Sequence, residues 1–313
     1  MNKFSIAIHG GAGTILKSEM TDELEKAYRQ GLQAALDAGY IVLQNGGSSL
    51  EAVKMAAILL EDNILFNAGR GSVFTNKGLH EMDAAIMNGI DLSAGAVAGV
   101  TKVRNPVELA YKVMTNSNHV LLCGEGANEF AREQNLKEED DEYFFSEFRY
   151  KQWQAVKDSD GYTLDHSSVI KKYKAKKFGT VGAVACDVNG NIAAATSTGG
   201  MTNKKYGRAG DSPLIGCGTY ANNKTCAISA TGHGELFIKA VAAYDVSCLM
   251  EYKGMGLQEA MDMVVNAKLV KINGEGGMIG VDANANIAML FNSDGMYRGM
   301  KSSEGKDEVE IYK

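Results

Sequence analysis

Gly179-Thr180-Val181-Gly182-Ala183-Val184-Ala185-Cys186 is the stretch from which the rest of the chain is read. A long charged segment leads up to it, and an apolar strand begins with it. Asn189-Gly190 follows, the pair most favoured for a tight two-residue hairpin turn. A second apolar strand, Ile192-Ala193-Ala194-Ala195-Thr196, then runs into Ser197-Thr198-Gly199-Gly200. Thr180 therefore stands where an irregular connection becomes the first residue of a buried strand. β-Branched residues suit strands, so position alone makes it an ordinary strand residue. Its company points elsewhere. Upstream lies Ile8-His9-Gly10-Gly11-Ala12-Gly13. Downstream lie Gly207-Arg208-Ala209-Gly210-Asp211-Ser212-Pro213 and Ala230-Thr231-Gly232-His233-Gly234-Glu235.

Composition narrows the class. The chain has 313 residues, enough for one large domain or two ordinary ones. Abundant glycine with only two prolines, Pro106 and Pro213, suggests close backbone approaches rather than disorder. A net charge of −6 argues against a nucleic-acid binder. The basic run Lys171-Lys172-Tyr173-Lys174-Ala175-Lys176-Lys177 has no matching basic surface to change that. The five cysteines are odd in number and form no CxxC, which reads as buried thiols in a reducing compartment. Met1-Asn2-Lys3-Phe4 leads straight into a strand-like run rather than a signal peptide, and no apolar run reaches membrane-spanning length. A cytoplasmic protein is expected.

Residues 4–8 read as a buried strand delivering a glycine-rich turn at 9–13. Thr21 reads as the N-cap of a helix with Asp22 and Glu23 in its first turn. Ser48 and Glu51 have capping-box spacing ahead of a second helix. Pro106 opens a third, where its missing N–H costs nothing. Glu138-Glu139-Asp140-Asp141-Glu142 and the lysine run bracket a segment, about 135–178, that reads as solvated and mobile. Beyond the second apolar strand, helices are expected over about 235–252 and 256–267, and a hairpin from 277–281 and 287–291 closes the chain. Periodicity alone leaves several α/β arrangements open.

Together these motifs make the chain similar, over nearly its whole length, to the plant-type (type III) L-asparaginases and isoaspartyl aminopeptidases, which are N-terminal-nucleophile hydrolases. The resemblance implies an α+β fold, a four-layer αββα sandwich. It implies self-cleavage at Gly179-Thr180, giving an α-subunit of 1–179, with the 135–178 linker, and a β-subunit of 180–313. It implies a homodimer of such αβ units, small-molecule substrates, and no nucleic-acid or membrane partner. It places the catalytic groups at Thr180, Thr198, Thr231 and Gly232, the last two forming the oxyanion hole. Substrate anchors fall at Arg208, Asp211 and Gly234, and supporting positions at Asn67, Gly10 and Gly11. No organic cofactor is implied, but a sodium ion is, held by the main-chain carbonyls of Leu60, Glu61, Asn63, Phe66, Ala68 and Arg70. Read without the resemblance, 61–71 is only a connecting loop. Many relatives carry proline where Ile64 stands here.

The chemistry asked of these residue types is coherent. A threonine hydroxyl is a weak nucleophile and needs a base. If the bond before Thr180 is cut, its own α-amine, with an unperturbed pKa of about 7.7–8, becomes that base. A guanidinium suits a carboxylate and an aspartate suits an ammonium, so Arg208 and Asp211 can read the α-groups of an amino acid. The bland alternative is a surface salt bridge between the two. With the α-groups held, the reacting group is a side-chain carbonyl, as in L-asparagine or a β-aspartyl dipeptide. A glycosylasparaginase-like amidase and an unprocessed aspartate-binding protein remain the alternatives. Gly216-Cys217-Gly218-Thr219-Tyr220-Ala221 fits a dinucleotide-binding spacing but lacks the helix that must follow it. The histidines lack metal-ligand spacing.

Overall fold

The computed structural model describes residues 3–158 and 179–313. Ahead of the Gly179-Thr180 bond the chain lays down β1 (Ser5–Gly13), β2 (Met82–Asn88), β3 (Ala94–Val100) and β4 (Leu121–Cys123). After it come β5 (Val181–Cys186), β6 (Ile192–Thr198), β7 (Thr219–Ala221), β8 (Cys226–Gly232), β9 (Gly276–Asp282), β10 (Ile287–Phe291), β11 (Gly295–Ser302) and β12 (Asp307–Tyr312). The helices are α1 (Asp22–Gln44), α2 (Ser49–Glu61), α3 (Pro106–Asn116), α4 (Gly124–Glu133), α5 (Asp141–Phe144) and α6 (Glu147–Gln154), then α7 (Gly234–Ala240), α8 (Ala242–Lys253) and α9 (Leu257–Asp262).

Among the described residues these strands form an eight-stranded sheet, β12-β11-β1-β5-β6-β2-β3-β4, and a four-stranded sheet, β10-β9-β8-β7. Strand periodicity of two sorts side chains into separate layers. Ile6 and Ile8 pack with Leu32, Leu36, Val53 and Ala56 of α1 and α2, whereas Ala7 between them faces the small sheet with Ile228 and Ile279. β5 alternates likewise: Ala183 and Ala185 meet the helices, Val184 and Cys186 the other sheet. The far face of the small sheet is closed by α8 and α9 through Val246, Leu249, Leu257 and Met261. The result is helix, sheet, sheet, helix: an α+β fold in four layers. No helix among the described residues is long and apolar enough to cross a membrane.

The helix starts follow their capping residues. Thr21 Oγ1 accepts from Leu24 N at 3.2 Å and Ser48 Oγ from Glu51 N at 3.2 Å. Pro106 is the first residue of α3.

Several local expectations give way to tertiary pairing. Residues 9–13 are not a turn: β1 continues to Gly13, bulging between His9 and Gly11, because β11 pairs along it. Asn189-Gly190 is not a two-residue turn. The connection is wider, with Asp187 N donating to Asn191 O at 2.9 Å, and Asp187 Oδ1 accepts the N–H groups of Asn189 and Asn191. The helix expected over 235–252 breaks at Val241, which adopts φ 48°, and α9 runs on into a π-helical turn, Met263–Leu269. The chain does not close on the 287–291 hairpin either, since β11 and β12 return to the large sheet.

The acidic run at 138–142 is largely exposed, as read, but the described part of 135–178 also carries short helices with anchoring side chains. α5 buries Phe144, α6 buries Arg149, and Trp153 stacks on Phe74 with ring centroids 5.7 Å apart. The lysine run lies outside the described residues.

Candidate active site

β5 and β6 are antiparallel neighbours with Val181 opposite Ser197, so the residue before β5 meets the residue ending β6. Thr180 Oγ1 donates to Thr198 Oγ1 at 3.2 Å. Thr198 Oγ1 donates to the Gly179 carbonyl at 2.9 Å and accepts from Gly200 N at 3.0 Å. That exhausts what one hydroxyl can do. The Gly179 carbonyl takes a second hydrogen bond from Asn67 Nδ2 at 2.9 Å. Asn67 is itself pinned: Nδ2 also donates to Gly200 O at 2.8 Å, Oδ1 accepts from Val73 N at 3.0 Å, and its backbone O accepts from Gly199 N at 3.1 Å. A side chain at Gly199 would start 2.5 Å from Asn67 Oδ1, which is why glycine follows Thr198.

Beneath Thr180 runs a buried polar chain that sequence reading missed. His9 Nδ1 lies 3.0 Å from the Thr180 carbonyl and Nε2 lies 2.9 Å from Ser229 Oγ. Ser229 meets Thr196 at 2.7 Å, and Thr219 donates to Thr196 at 2.7 Å. Complete burial pushes the His9 imidazole down to about 3, so it is neutral at pH 7. With the proton on Nδ1 it donates to the Thr180 carbonyl and accepts from Ser229. Gly182 leaves the space this needs, since a Cβ there would stand 2.5 Å from His9 Nε2. Hydroxyls at alternate positions of otherwise apolar strands were the available signal.

Thr180 and Thr198 share one cavity with Gly179, Arg208, Asp211 and Gly232. Arg208 and Asp211 do not pair as a surface salt bridge. Arg208 instead forks onto Glu235, Nε to Oε1 and Nη2 to Oε2, both at 2.9 Å. Asp211 is buried and its Oδ2 has no hydrogen-bond partner among the described residues. Burial pushes its carboxyl up to about 7. Such an orphan is costly unless something cationic joins it. Gly234 makes room: a Cβ there would sit 2.8 Å from Arg208 Nη2 and 2.8 Å from Asp211 Oδ1. Thr231 is fully buried and its Oγ1 accepts from Ala12 N at 3.3 Å, which leaves its own proton to give. Glu235 is the residue here that the sequence reading did not single out.

Gly10 and Gly11 lie outside the lining of this cavity. A Cβ on Gly10 would stand 2.5 Å from the Phe66 ring, and Gly11 takes φ 112° at the β1 bulge. Gly10 thus sits against the loop that carries Asn67.

That loop, 60–71, is a succession of turns in which Gly69 adopts φ 50°. A Cβ on Gly69 would come within 2.6 Å of the Glu61 carbonyl, and one on Gly71 would collide with the Phe66 carbonyl. Main-chain oxygens therefore crowd this turn where side chains are excluded, which fits a hard monovalent cation. The Glu61 side chain has a separate task. It is fully buried at the end of α2, and Oε1 accepts from Val107 N at 2.9 Å and Ser197 Oγ at 2.6 Å. Burial raises its carboxyl to about 8.

Comparison with known proteins bears on the whole chain. The asparaginase family profile matches residues 2–311. The chain is 50% identical over 313 residues to an isoaspartyl peptidase of Salmonella typhimurium, covering all of both chains. It is 40% identical over 296 residues to the human isoaspartyl peptidase/L-asparaginase, covering 95% of this chain and 92% of that one. A plant-type L-asparaginase of Thermococcus kodakarensis is 42% identical over 98% of each chain. With the match end to end, the chain belongs to the asparaginase family.

Proposed function

We propose that this protein is a self-cleaving threonine hydrolase that splits the side-chain amide or isopeptide bond of aspartyl units, acting on L-asparagine and β-aspartyl dipeptides. Its family membership and its relatives' names support the reaction class. The observation that carries the residue assignment is the juxtaposition of the Thr180 hydroxyl and the orphaned Asp211 carboxylate in one cavity.

Maturation comes first. Thr180 Oγ attacks the Gly179 carbonyl carbon, whose oxygen is already polarised by Thr198 and Asn67. A C–O bond forms, the C–N bond breaks, and the hydroxyl proton ends on the Thr180 nitrogen. Water then opens the ester, leaving a Gly179 carboxylate and a free Thr180 amine. In turnover that amine takes the hydroxyl proton, and Oγ attacks the substrate's side-chain carbonyl. Thr231 Oγ1 and the Gly232 N–H receive the developing oxyanion. The amine returns the proton to the leaving group, and water releases aspartate. Asp211 holds the substrate ammonium, joined by the Gly234 carbonyl. Arg208 holds the carboxylate with the donors that Glu235 leaves it. Thr198 keeps the nucleophile oriented.

The carbonyls of Leu60, Glu61, Asn63, Phe66, Ala68 and Arg70 would hold sodium, whose charge would stiffen the loop carrying Asn67. The matured protein is an α-subunit, 1–179, and a β-subunit, 180–313, paired as a cytoplasmic homodimer of αβ units. It uses no organic cofactor and engages neither nucleic acid nor membrane.

Intact mass and N-terminal sequencing test the reading. A fragment beginning Thr180-Val181-Gly182, absent from Thr180→Ala, is expected. An uncut wild-type chain that binds aspartate would replace the hydrolase with a binding protein. Faster release from a GlcNAc-asparagine substrate than from β-aspartyl dipeptides would replace it with a glycosylasparaginase.

A further inference from the structure

α6 belongs to the segment that charge pattern marks as solvent-facing, yet it carries the most deeply buried cation described. Arg149 is 1% exposed. Its Nε donates to the Gly71 carbonyl at 3.1 Å and its Nη2 to the Leu65 carbonyl at 3.3 Å, while Nη1 donates to Gln152 Oε1 at 3.3 Å. Burial lowers its pKa only to about 10, so it stays charged at pH 7. A charge in such a place is expensive unless its hydrogen bonds are made well, and a planar fork can bridge two carbonyls where an ammonium reaches one.

The two carbonyls flank Asn67 in the chain. Between them, Asn67 turns its amide onto Gly179 O and Gly200 O. The oxygens assigned to sodium are others in the same loop, so Arg149 and the metal grip different oxygens. A second contact ties the same segment to the opposite side of the site. Asn203 Nδ2 donates to Val156 O at 3.0 Å, two residues beyond α6, and Asn203 N donates to Phe74 O at 2.8 Å beneath Trp153. Residues 147–156 thus brace both the loop before the site and the loop after Gly200.

We propose that Arg149 is a positioning residue for the reaction: its buried guanidinium ties the Leu65 and Gly71 carbonyls together and thereby sets the Asn67 amide against the Gly179 carbonyl. This rests on the self-cleavage reading above. It gives the segment ahead of the cleaved bond a task beyond connection, since docking of α6 completes the site that acts on Gly179. It also means that 147–156 stay with the body of the protein after cleavage, held by Arg149.

Arg149→Lys and Arg149→Met test it in two ways. Each is expected to slow self-cleavage about tenfold or more, by misplacing one donor. In an Asn67→Ala background the same substitutions are expected to cost less than about twofold, because the group they act through is gone. Hydrogen exchange in the uncut Thr180→Ala chain is the second measurement and needs no activity. The Val73 and Gly199 amides, both bonded to Asn67, are expected to lose protection relative to amides of β8 and β9 when Arg149 is changed. Equal slowing with and without Asn67, or unchanged protection at Val73 and Gly199, overturns the proposal while leaving the hydrolase intact. A wild-type chain that never cleaves removes the hydrolase reading instead, and exchange then decides the role of Arg149 alone. If Arg149→Met fails to fold, Arg149→Lys carries both readouts.

Discussion

The two walls of the cavity are built on opposite principles. On the side of Thr180 the polar groups are paired with one another: Thr198 uses its one proton and both acceptor sites, Asn67 uses both ends of its amide, and the Gly179 carbonyl takes two donors. On the wall of Asp211 a buried carboxylate oxygen is left over, and the Arg208 fork is engaged by Glu235 rather than by anything in the cavity. A satisfied network is rigid and preorganised; an unsatisfied one stores a demand for a ligand. The contrast suggests a division of labour. On the proposed reading, the first wall acts on the protein's own backbone with nothing bound. On that reading the second matters only when a substrate supplies an ammonium and a carboxylate.

The sharpest way to break this division is to remove the nucleophile. Thr180→Ala is expected to abolish the cut and to lower kcat/KM by on the order of 10⁴-fold or more, read by gel mobility and by aspartate release. Asn67→Ala takes one donor from the Gly179 carbonyl, and self-cleavage is expected to slow by about 10²–10³-fold; an unaltered maturation time course would dissolve the first wall as a unit. Asp211→Asn should separate the walls most cleanly. Its kcat/KM is expected to fall about 10²-fold through lost ammonium recognition, while its maturation half-time stays that of wild type. Slowed cutting in that variant would show the walls to be coupled.

The pH dependence sharpens the same comparison. Asp211 must be ionised to hold an ammonium, and its carboxyl is raised to about 7 by burial. The Thr180 amine must be neutral to act as base, with an unperturbed pKa of about 7.7–8. Both requirements cut activity on the acid side, so kcat/KM is expected to rise about a hundredfold per unit well below pH 7, about tenfold per unit between 7 and 8, and to level off above 8. Asp211→Asn should retain only the amine's contribution. The smallest effect is on stability. A carboxyl raised on folding binds more protons in the native than in the unfolded state at pH 4–7, so it costs stability progressively as pH rises through that window. Above pH 7, without ligand, Asp211→Asn is therefore expected to be more stable by about 1 kcal/mol, a gain that thermal unfolding should show vanishing near pH 4.

The meeting of Thr180 and Thr198 was legible beforehand because both sit at the ends of regular strands. Thr180 and Thr198 bracket a hairpin, and the hairpin's register brings them together whatever its turn looks like. Helix starts were legible for the same local reason: Thr21 and Ser48 act on N–H groups three residues away. The recognition wall was only half legible. Arg208 and Asp211 lie in one glycine-spaced motif, but the partner of Arg208 is Glu235, on the first turn of α7.

By itself, then, the sequence determined the strand pair carrying the candidate nucleophile, the helix caps, and the family, since each depends on nearest neighbours along the chain or on whole-length similarity. Only the tertiary structure decided the continuation of β1 past its glycines, the return of β11 and β12 to the large sheet, the buried line from His9 to Thr219, and the seating of Arg149 on the Asn67 loop. Each of these joins residues far apart in sequence. Burying a polar or charged group is favourable only where distant partners converge on it, and a linear pattern of charge and hydropathy does not encode that convergence.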